Sequence, residues 1–183
     1  MNNKNTLILV AGLMAMVFVA ASVFAYYPLS ITVSPTTPPV TFATGSNSNQ
    51  NDLGPGNTIT VSLGSNSASA SVTVHPTYQK TYYKDVLRIT NSDSKTYNVY
   101  IRVDTAIASF PAGSTILLKI YDSGTPIATV PLTSTGTVSI GSLSGGGAWE
   151  VDVEVYIPEG SSLPSSATAN LQLIYTPSSE TPP

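Results

Sequence analysis

The stretch WEVDVEVYI, residues 149–157, alternates apolar and acidic side chains along most of its length. The apolar set is Trp149, Val151, Val153, Val155 and Ile157, and the acidic set is Glu150, Asp152 and Glu154. Successive side chains of a β-strand point to opposite faces of the sheet, so this pattern predicts a strand with one buried and one polar face. We expect the acidic row to face solvent or a neighbouring subunit.

The same period of two recurs along most of the chain. Clear alternation surrounds Val61, Val72, Ile101, Leu118 and Leu171, and weaker alternation surrounds Phe42, Leu87, Ile127 and Val138. Segments rich in Gly, Ser, Asn and Asp separate these runs and are typical of turns, and only residues 106–114 allow a short helical turn. The count of nine or ten strands favours an all-β fold, an antiparallel jelly-roll β-sandwich over residues 40–175.

Residues 6–25 form an apolar run without a charged side chain, and Lys4 is the one charge before it. A weakly positive start, an apolar stretch and small residues at its end are typical of a secretory signal peptide, here residues 1–25. A retained membrane anchor and a pilin-like segment remain as alternatives, because about twenty apolar residues also span a bilayer. All three interpretations export the chain, so we expect an extracellular protein that meets a membrane only through this segment.

The composition excludes several classes of partner and chemistry. The 183-residue chain has a net charge of −3, only 9% charged residues and no cysteine. Such a surface does not attract nucleic acid. Without cysteine there is no disulfide, thiolate metal site or thiol nucleophile.

The sequence contains no motif of a known catalytic or metal site. Its one histidine, His75, precedes a proline, and neither G-x-S-x-G nor H-E-x-x-H occurs. The Asn-rich residues 47–52 offer oxygens to calcium, but Asp52 is their only carboxylate and the EF-hand pattern is missing. We therefore predict a loop histidine, a flexible loop at residues 47–52, and a protein that is not an enzyme and needs no metal or cofactor.

Paired carboxylates are also the machinery of glycosidases, which gives the acidic row a second interpretation. That chemistry needs a cleft in which one acid is desolvated, whereas the row is predicted to lie on a solvated sheet face. We expect its carboxylates to contact Arg88, Arg102 or a lysine on a neighbouring strand or subunit.

The segment YYPLSITVS, residues 26–34, has the alternation of a strand, with Tyr27, Leu29, Ile31 and Val33 on its apolar side. Three prolines in residues 35–39 block continued pairing and favour a stiff, extended linker. The strand can therefore pair with another edge of its own domain, remain disordered, or add to the sheet of a neighbouring molecule. At the other end of the chain, residues 176–183 have the composition of a disordered tail.

Two segments resemble the TasA/camelysin-type biofilm matrix proteins: the hairpin DVLRITNSDSKTYNVYIRV, residues 85–103, and the late strand SATANLQLIY, residues 166–175. The order of signal peptide, short N-terminal strand and jelly-roll body is also similar, particularly to archaeal bundling-pilus subunits of hyperthermophiles. Members of this family polymerise by donor-strand exchange, in which the N-terminal strand of one subunit completes the sheet of the next.

The resemblance implies a head-to-tail homopolymer, an extracellular filament with lateral contacts between filaments. Its donor strand is residues 26–34, with Tyr27, Leu29, Ile31 and Val33 as the donor side chains. Camelysins are classed as metallopeptidases, but their activity is not carried over because no constellation of metal ligands occurs in this sequence.

Two other classes of function remain open. A monomeric cell-surface or surface-layer-associated β-domain would pair residues 26–34 within its own sheet. A secreted carbohydrate-binding domain would use the acidic row and aromatic side chains such as Tyr82, Tyr83 and Trp149. Trp149, however, alternates with valines of the expected core and is predicted to be buried.

Overall fold

The computed structural model of this protein describes residues 3–4 and 25–183. The predicted signal peptide therefore lies almost wholly outside the described residues. Within the described part of the chain, no helix combines the length and the apolar composition that crossing a membrane requires. Two compact units are present, Met1–Pro35 and Thr36–Pro183, and all the strands described below belong to the second.

Ten strands run through residues 36–183, and their pairings are antiparallel. They are β1 (Val40–Thr44), β2 (Thr60–Leu63), β3 (Ala70–Thr73), β4 (Gln79–Asn91), β5 (Tyr97–Thr105), β6 (Thr115–Asp122), β7 (Thr125–Pro131), β8 (Gly136–Leu143), β9 (Ala148–Ile157) and β10 (Asn170–Thr176). The prediction of an all-β chain with antiparallel strands is confirmed. The interpretation of residues 85–103 as a hairpin is wrong, because β4 and β5 belong to different sheets and do not pair.

The strands form two larger sheets and one small one. The order is β1-β4-β9-β6-β7 in the five-stranded sheet and β10-β5-β8 in the three-stranded sheet, while β2 and β3 form a separate pair. The strictly alternating strand β9 lies at the centre of the larger sheet, and β5 lies at the centre of the smaller one. The free edges of the two larger sheets are therefore β1, β7, β8 and β10.

One hydrophobic core takes side chains from both larger sheets. It includes Trp149, Val151 and Val155 of β9 together with Val99 and Ile101 of β5, all of them buried. Burying an aliphatic side chain contributes about 1.5–3 kcal/mol, so two sheets that share a core in this way hold each other in place, as the layers of a β-sandwich do. The buried ring of Trp149 is also not available as a platform for a sugar.

A bulge interrupts β4. Its register on β9 shifts between Tyr83 and Leu87, and Asp85 has a φ of 43°. Gly45 lies against this bulge, where an added Cβ would sit 1.9 Å from the main-chain oxygen of Asp85. Only glycine permits so close an approach, so the loop after β1 is fitted to the bulge.

Main-chain hydrogen bonds hold the loop at residues 47–52 against the neighbouring chain. The main-chain N of Asn47 donates to the main-chain O of Asp85 at 3.1 Å, and the N of Asn49 donates to the O of Ile59 at 2.7 Å. The polar groups of the loop thus bind the neighbouring chain, and the flexibility of the loop stays a prediction.

One further segment differs from prediction. Residues 106–114 form turns without a helix, and the short 3₁₀ helix Ser65–Ser67 is the only helix within residues 25–183. Thr176 still belongs to β10, and main-chain oxygens of the residues after it accept hydrogen bonds from β5. The disorder of residues 176–183 stays a prediction, and the hydrogen bonds show that free carbonyl groups of a proline-rich segment can accept from a row of donors.

Candidate functional site

The N-terminal segment, residues 26–34, has the sequence of a strand but is not paired as one. The structure assigns neither helix nor strand to residues 25–38. Leu29, Ile31 and Val33 are 82%, 77% and 81% exposed, and Tyr27 is exposed as well. Moving these side chains from water into an apolar groove is favourable in free energy. Pairing with a sheet that covers its apolar side would therefore stabilise the segment.

Three of the four free sheet edges have features that hinder strand addition. Strand β7 contains Pro126 and Pro131, and β8 contains Gly136 and Gly141 at φ values of 148° and 143°. Strand β1 is five residues long and follows two prolines. Prolines, irregular backbone and short length are the devices by which natural edge strands avoid pairing.

The edge strand β10 has none of these features from Leu171 onward. Asn170–Thr176 contains no proline, glycine or charged residue, and its one irregularity is a register shift between Asn170 and Leu171. Leu173 and Tyr175 pack against the core, whereas Leu171, on the same side of the strand, is 37% exposed. The free edge of β10 thus combines unpaired backbone groups with incompletely covered apolar surface.

A second candidate is a polar cluster on the outer face of the five-stranded sheet, centred on Asp152. This residue is only 2% exposed, and its Oδ2 and Oδ1 accept hydrogen bonds at 2.6 Å from Tyr82 Oη and from the main-chain N of Asp85. Tyr82 Oη also lies 2.9 Å from Tyr121 Oη. Burial, together with the bond to Asp152, raises the pKa of Tyr82, so this phenol stays protonated as a donor.

The β4 bulge brings a second buried carboxylate, Asp85, next to Asp152. Arg88 Nε donates to Asp85 Oδ1 at 2.9 Å and Arg88 Nη2 donates to Oδ2 at 2.5 Å, which makes a bidentate pair. The main-chain N of Ser46 adds a third hydrogen bond at 3.0 Å. These donors compensate the burial of the charge.

Glu154 lies between two lysines on the same face. Its Oε2 is 2.9 Å from Lys119 Nζ and its Oε1 is 3.5 Å from Lys80 Nζ. The hydrogen bond from Lys119 lowers the pKa of Glu154. Glu150 is in the opposite situation, because burial and the charge of Asp152 raise its pKa.

The expectation of a solvated acidic row is wrong for two of its three members. Asp152 and Glu154 are buried, since the β4 bulge and the side chains of Tyr82 and Lys119 cover this face, whereas Glu150 is partly exposed. The row is therefore a set of hydrogen-bonded groups within one subunit, and only Glu150 is placed to meet solvent.

Of the two arginines that were expected beside the acidic row, Arg88 lies there and Arg102 does not. Arg88 stands opposite Glu150 in the register of β4 and β9, but its side-chain hydrogen bonds go to Asp85. Arg102 lies on β5 in the other sheet, where its Nε donates to Thr137 Oγ1 at 3.2 Å. The lysines expected on a neighbouring strand are Lys119 and Lys80, both bound to Glu154.

The Asp85 pair predicts a specific dependence of stability on pH. The hydrogen bonds from Arg88 lower the pKa of Asp85 to about 2 from a usual 3.8, so its stabilising contribution is present above about pH 4 and is lost as the pH falls toward 2. Urea unfolding between pH 2 and 6 should show that the free energy of unfolding of Asp85→Asn falls less steeply over this window. Arg88→Gln should likewise weaken the pH dependence of the free energy of unfolding between pH 2 and 4. An unchanged pH dependence in both variants would contradict the assignment.

His75 lies in the loop between β3 and β4, as expected. Its main-chain N donates to Asp52 Oδ2 at 2.7 Å, and its Nδ1 lies 3.0 Å from the same oxygen. The pair ties the loop before β2 to the loop before β4. Within the described ranges, no serine hydroxyl bonds to His75, and no group of three His, Cys, Asp or Glu residues is placed to hold a metal ion.

Sequence reasoning missed Tyr82, Tyr121 and Asp85 as members of the polar cluster. The register places Tyr82 opposite Glu154 and Tyr121 opposite Glu150, so the signal was a tyrosine on each strand that flanks the acidic row. Asp85 had no such signal, because the bulge depends on contacts distant in sequence.

No family model matches this chain, and no curated protein matches it either. Its function must therefore be argued from the N-terminal segment, the sheet edges and the polar cluster themselves.

Proposed function

We propose that this protein is the structural subunit of an extracellular filament, and that it polymerises when residues 26–34 of one copy add as a strand to the free edge of β10 in the next. The observation that supports this is the exposure of Leu29, Ile31 and Val33 on an unpaired segment with strand alternation. Strand addition supplies what this segment lacks, which is backbone hydrogen bonds and cover for its apolar side.

The proposed acceptor fits the donor in length and chemistry. Residues 27–33 carry apolar side chains at every second position, and β10 is also seven residues long. Pro28, near the start of the donor, has no N–H to give to the ladder, so its nitrogen must face away from β10. A donor strand placed beside β10 with its apolar side inward extends the cover over Leu171. The three-stranded sheet then has four strands, the number that each sheet of an eight-stranded jelly roll contains, and the proposed subunit is a jelly-roll sandwich completed by its neighbour.

Strand addition alone does not supply enough binding free energy for a stable fibre. Burying three branched aliphatic side chains contributes roughly 5–9 kcal/mol as an upper estimate. Association and ordering cost about 4–15 kcal/mol, so strand addition alone gives modest affinity. A stable fibre therefore also needs contacts between the bodies of neighbouring subunits, and a surface with few charges is cheap to desolvate.

The proposed contact is heterologous, because the donor and acceptor surfaces differ. Such contacts generate open filaments when the rotation between copies does not close a ring. The proline-containing linker, residues 35–39, favours this outcome, since a stiff extended tether disfavours folding back into a hairpin with β1.

The sequence resemblance to TasA/camelysin-type matrix proteins and archaeal bundling-pilus subunits supports the same proposal. The filament would form outside the cell after removal of residues 1–25 and would promote adhesion or bundling between cells. Catalysis has no part in this function.

Leu171→Asp tests the acceptor. The charge falls on the inward side of the β10 edge, where a donor strand would desolvate it, so purified chains should form no filaments in negative-stain electron microscopy. Gln172→Asp is the matched control, because it puts the same charge on the opposite, exposed side of β10, and it should polymerise normally. Normal filaments from Leu171→Asp would show that β10 is not the acceptor edge.

A further inference from the structure

The residues after β10, the C-terminal segment 177–183, lie along the outer face of β5. Asn98 Nδ2 donates to the main-chain O of Ser178 at 2.7 Å, and Tyr100 Oη donates to the O of Glu180 at 3.3 Å. Arg102 Nη2 donates to the O of Pro183. Three side chains at alternate positions of one strand thus bind three main-chain oxygens of one extended segment.

The burial of Tyr100 shows that the C-terminal segment covers part of the outer face of β5, away from the hydrophobic core. The adjacent residues Val99 and Ile101 point into the core, whereas Tyr100 points outward and is not part of the core, yet it is only 9% exposed. The residues opposite it on the flanking strands are Ile174 and Ser139. The segment that accepts the hydrogen bond from its hydroxyl group lies over this outward face.

The chemistry of the contact is that of polyproline recognition. Residues 177–183, with the sequence PSSETPP, contain three prolines, which have no N–H to donate and favour an extended backbone with unpaired carbonyl groups. A row of amide, phenol and guanidinium donors around an aromatic ring suits such a backbone. All three hydrogen bonds are to main-chain oxygens. Asn98, Tyr100 and Arg102 therefore recognise the extended backbone of the segment more than its side chains.

We propose that Asn98, Tyr100 and Arg102 form a binding site for an extended proline-rich segment, and that its occupant in assemblies is the C-terminal segment of a second copy of this chain. In the isolated chain the same site holds the chain's own segment. Exchange between copies conserves all three hydrogen bonds, because the segments are identical, and this makes the swap inexpensive. The site uses neither residues 26–34 nor the free edge of β10. Its existence therefore does not depend on the proposed strand addition.

The first test measures binding of a labelled peptide, TPSSQTPP, to a chain that ends at Thr176. The peptide corresponds to residues 176–183 with Glu180→Gln, which keeps the main-chain oxygens and resists a glutamate-specific protease. Fluorescence anisotropy should show saturable binding to the shortened chain and at least tenfold weaker binding to the full chain, whose site is occupied. A shortened chain that is folded by circular dichroism and does not bind the peptide would overturn the proposal.

The second test uses the full chain and does not depend on the fold of the shortened one. Cleavage after Glu180 by the glutamate-specific protease, followed as release of residues 181–183, should be several-fold faster in Tyr100→Phe, which lacks the donor to the Glu180 oxygen. Tyr97→Phe is the matched control, because its hydroxyl bonds to Asp93 instead, and it should cleave at the wild-type rate. Equal rates in both variants would overturn the site.

Exchange between copies is tested in the same assay. Excess TPSSQTPP should speed cleavage of the wild-type chain several-fold, because it competes with the chain's own segment for the site. If the peptide leaves the cleavage rate unchanged, the segment does not exchange, and a second copy is not the occupant.

Discussion

Chains with Ile31→Asp should fold normally and form no filaments. Ile31 is the middle of the three aliphatic donor side chains and is 77% exposed in the single chain, so the substitution removes nothing from the subunit's own core. In the proposed filament it loses about 1.5–3 kcal/mol of burial and places a carboxylate in an apolar groove, at a cost of several kcal/mol. A total of about 4 kcal/mol or more weakens each junction about a thousandfold. Electron microscopy and sedimentation measure the loss.

The adjacent variant Ser30→Asp is the control for charge. It carries the same carboxylate one residue away, on the polar side of the alternating segment, and should still polymerise. Normal filaments from Ile31→Asp would refute the donor assignment. If the Ile31→Asp monomer unfolds, residues 29–33 belong to the core of their own domain, and the function as a monomeric cell-surface domain is favoured instead.

Mixing two defective chains gives a sharper result than either alone. Ile31→Asp chains cannot donate a strand but keep an intact β10 edge, whereas Leu171→Asp chains can donate but cannot accept. The mixture should therefore form a dimer of one chain of each kind and stop there, since the dimer presents only the defective donor and the defective acceptor. Sedimentation velocity at micromolar or higher concentration separates this dimer from monomers and filaments. Absence of the dimer would show that the two sites are not partners.

The sequence predicts the strands well because their pattern is local. In β9 the valines and the acidic residues alternate without interruption, and the strand lies where the period of two places it. The same holds for β5 around Val99 and Ile101. A run whose side chains alternate between core and exterior cannot slip by one residue without exposing its apolar set, so the pattern fixes which face of the strand is buried.

The burial of Asp152 could not be predicted from the alternation of side chains. Alternation correctly places it on the outer face, but its burial depends on a bulge in β4, where Asp85 adopts a positive φ and turns its N–H toward the carboxylate. The sequence YYKDV, residues 82–86, contains no local motif that predicts this bulge. The bulge packs against Gly45, which belongs to a loop distant in sequence. The partner of residues 26–34 is likewise absent from the local pattern, because alternation describes a strand and does not name its neighbour.

Asp152→Ala should destabilise the subunit far more than Glu150→Ala, although the two residues belong to one acidic row. Removing the Asp152 carboxylate leaves the buried N–H of Asp85 without an acceptor, which costs about 1–3 kcal/mol, and removes a charged hydrogen bond to Tyr82. We expect a loss of about 2–4 kcal/mol in the free energy of unfolding, a large share of the 5–15 kcal/mol typical of a domain. Equilibrium urea unfolding at neutral pH measures it.

Glu150 has no comparable role, because it is only partly buried and its charge is disfavoured by Asp152 beside it. Glu150→Ala should change the free energy of unfolding by less than about 0.5 kcal/mol, and removal of the like charge favours a small gain. Asp152→Asn should fall between the two, because the amide oxygen still accepts the bond from Asp85. If Asp152→Ala proves as mild as Glu150→Ala, the acidic row is solvated after all, as its alternation alone suggests, and the bulge does not shield this face.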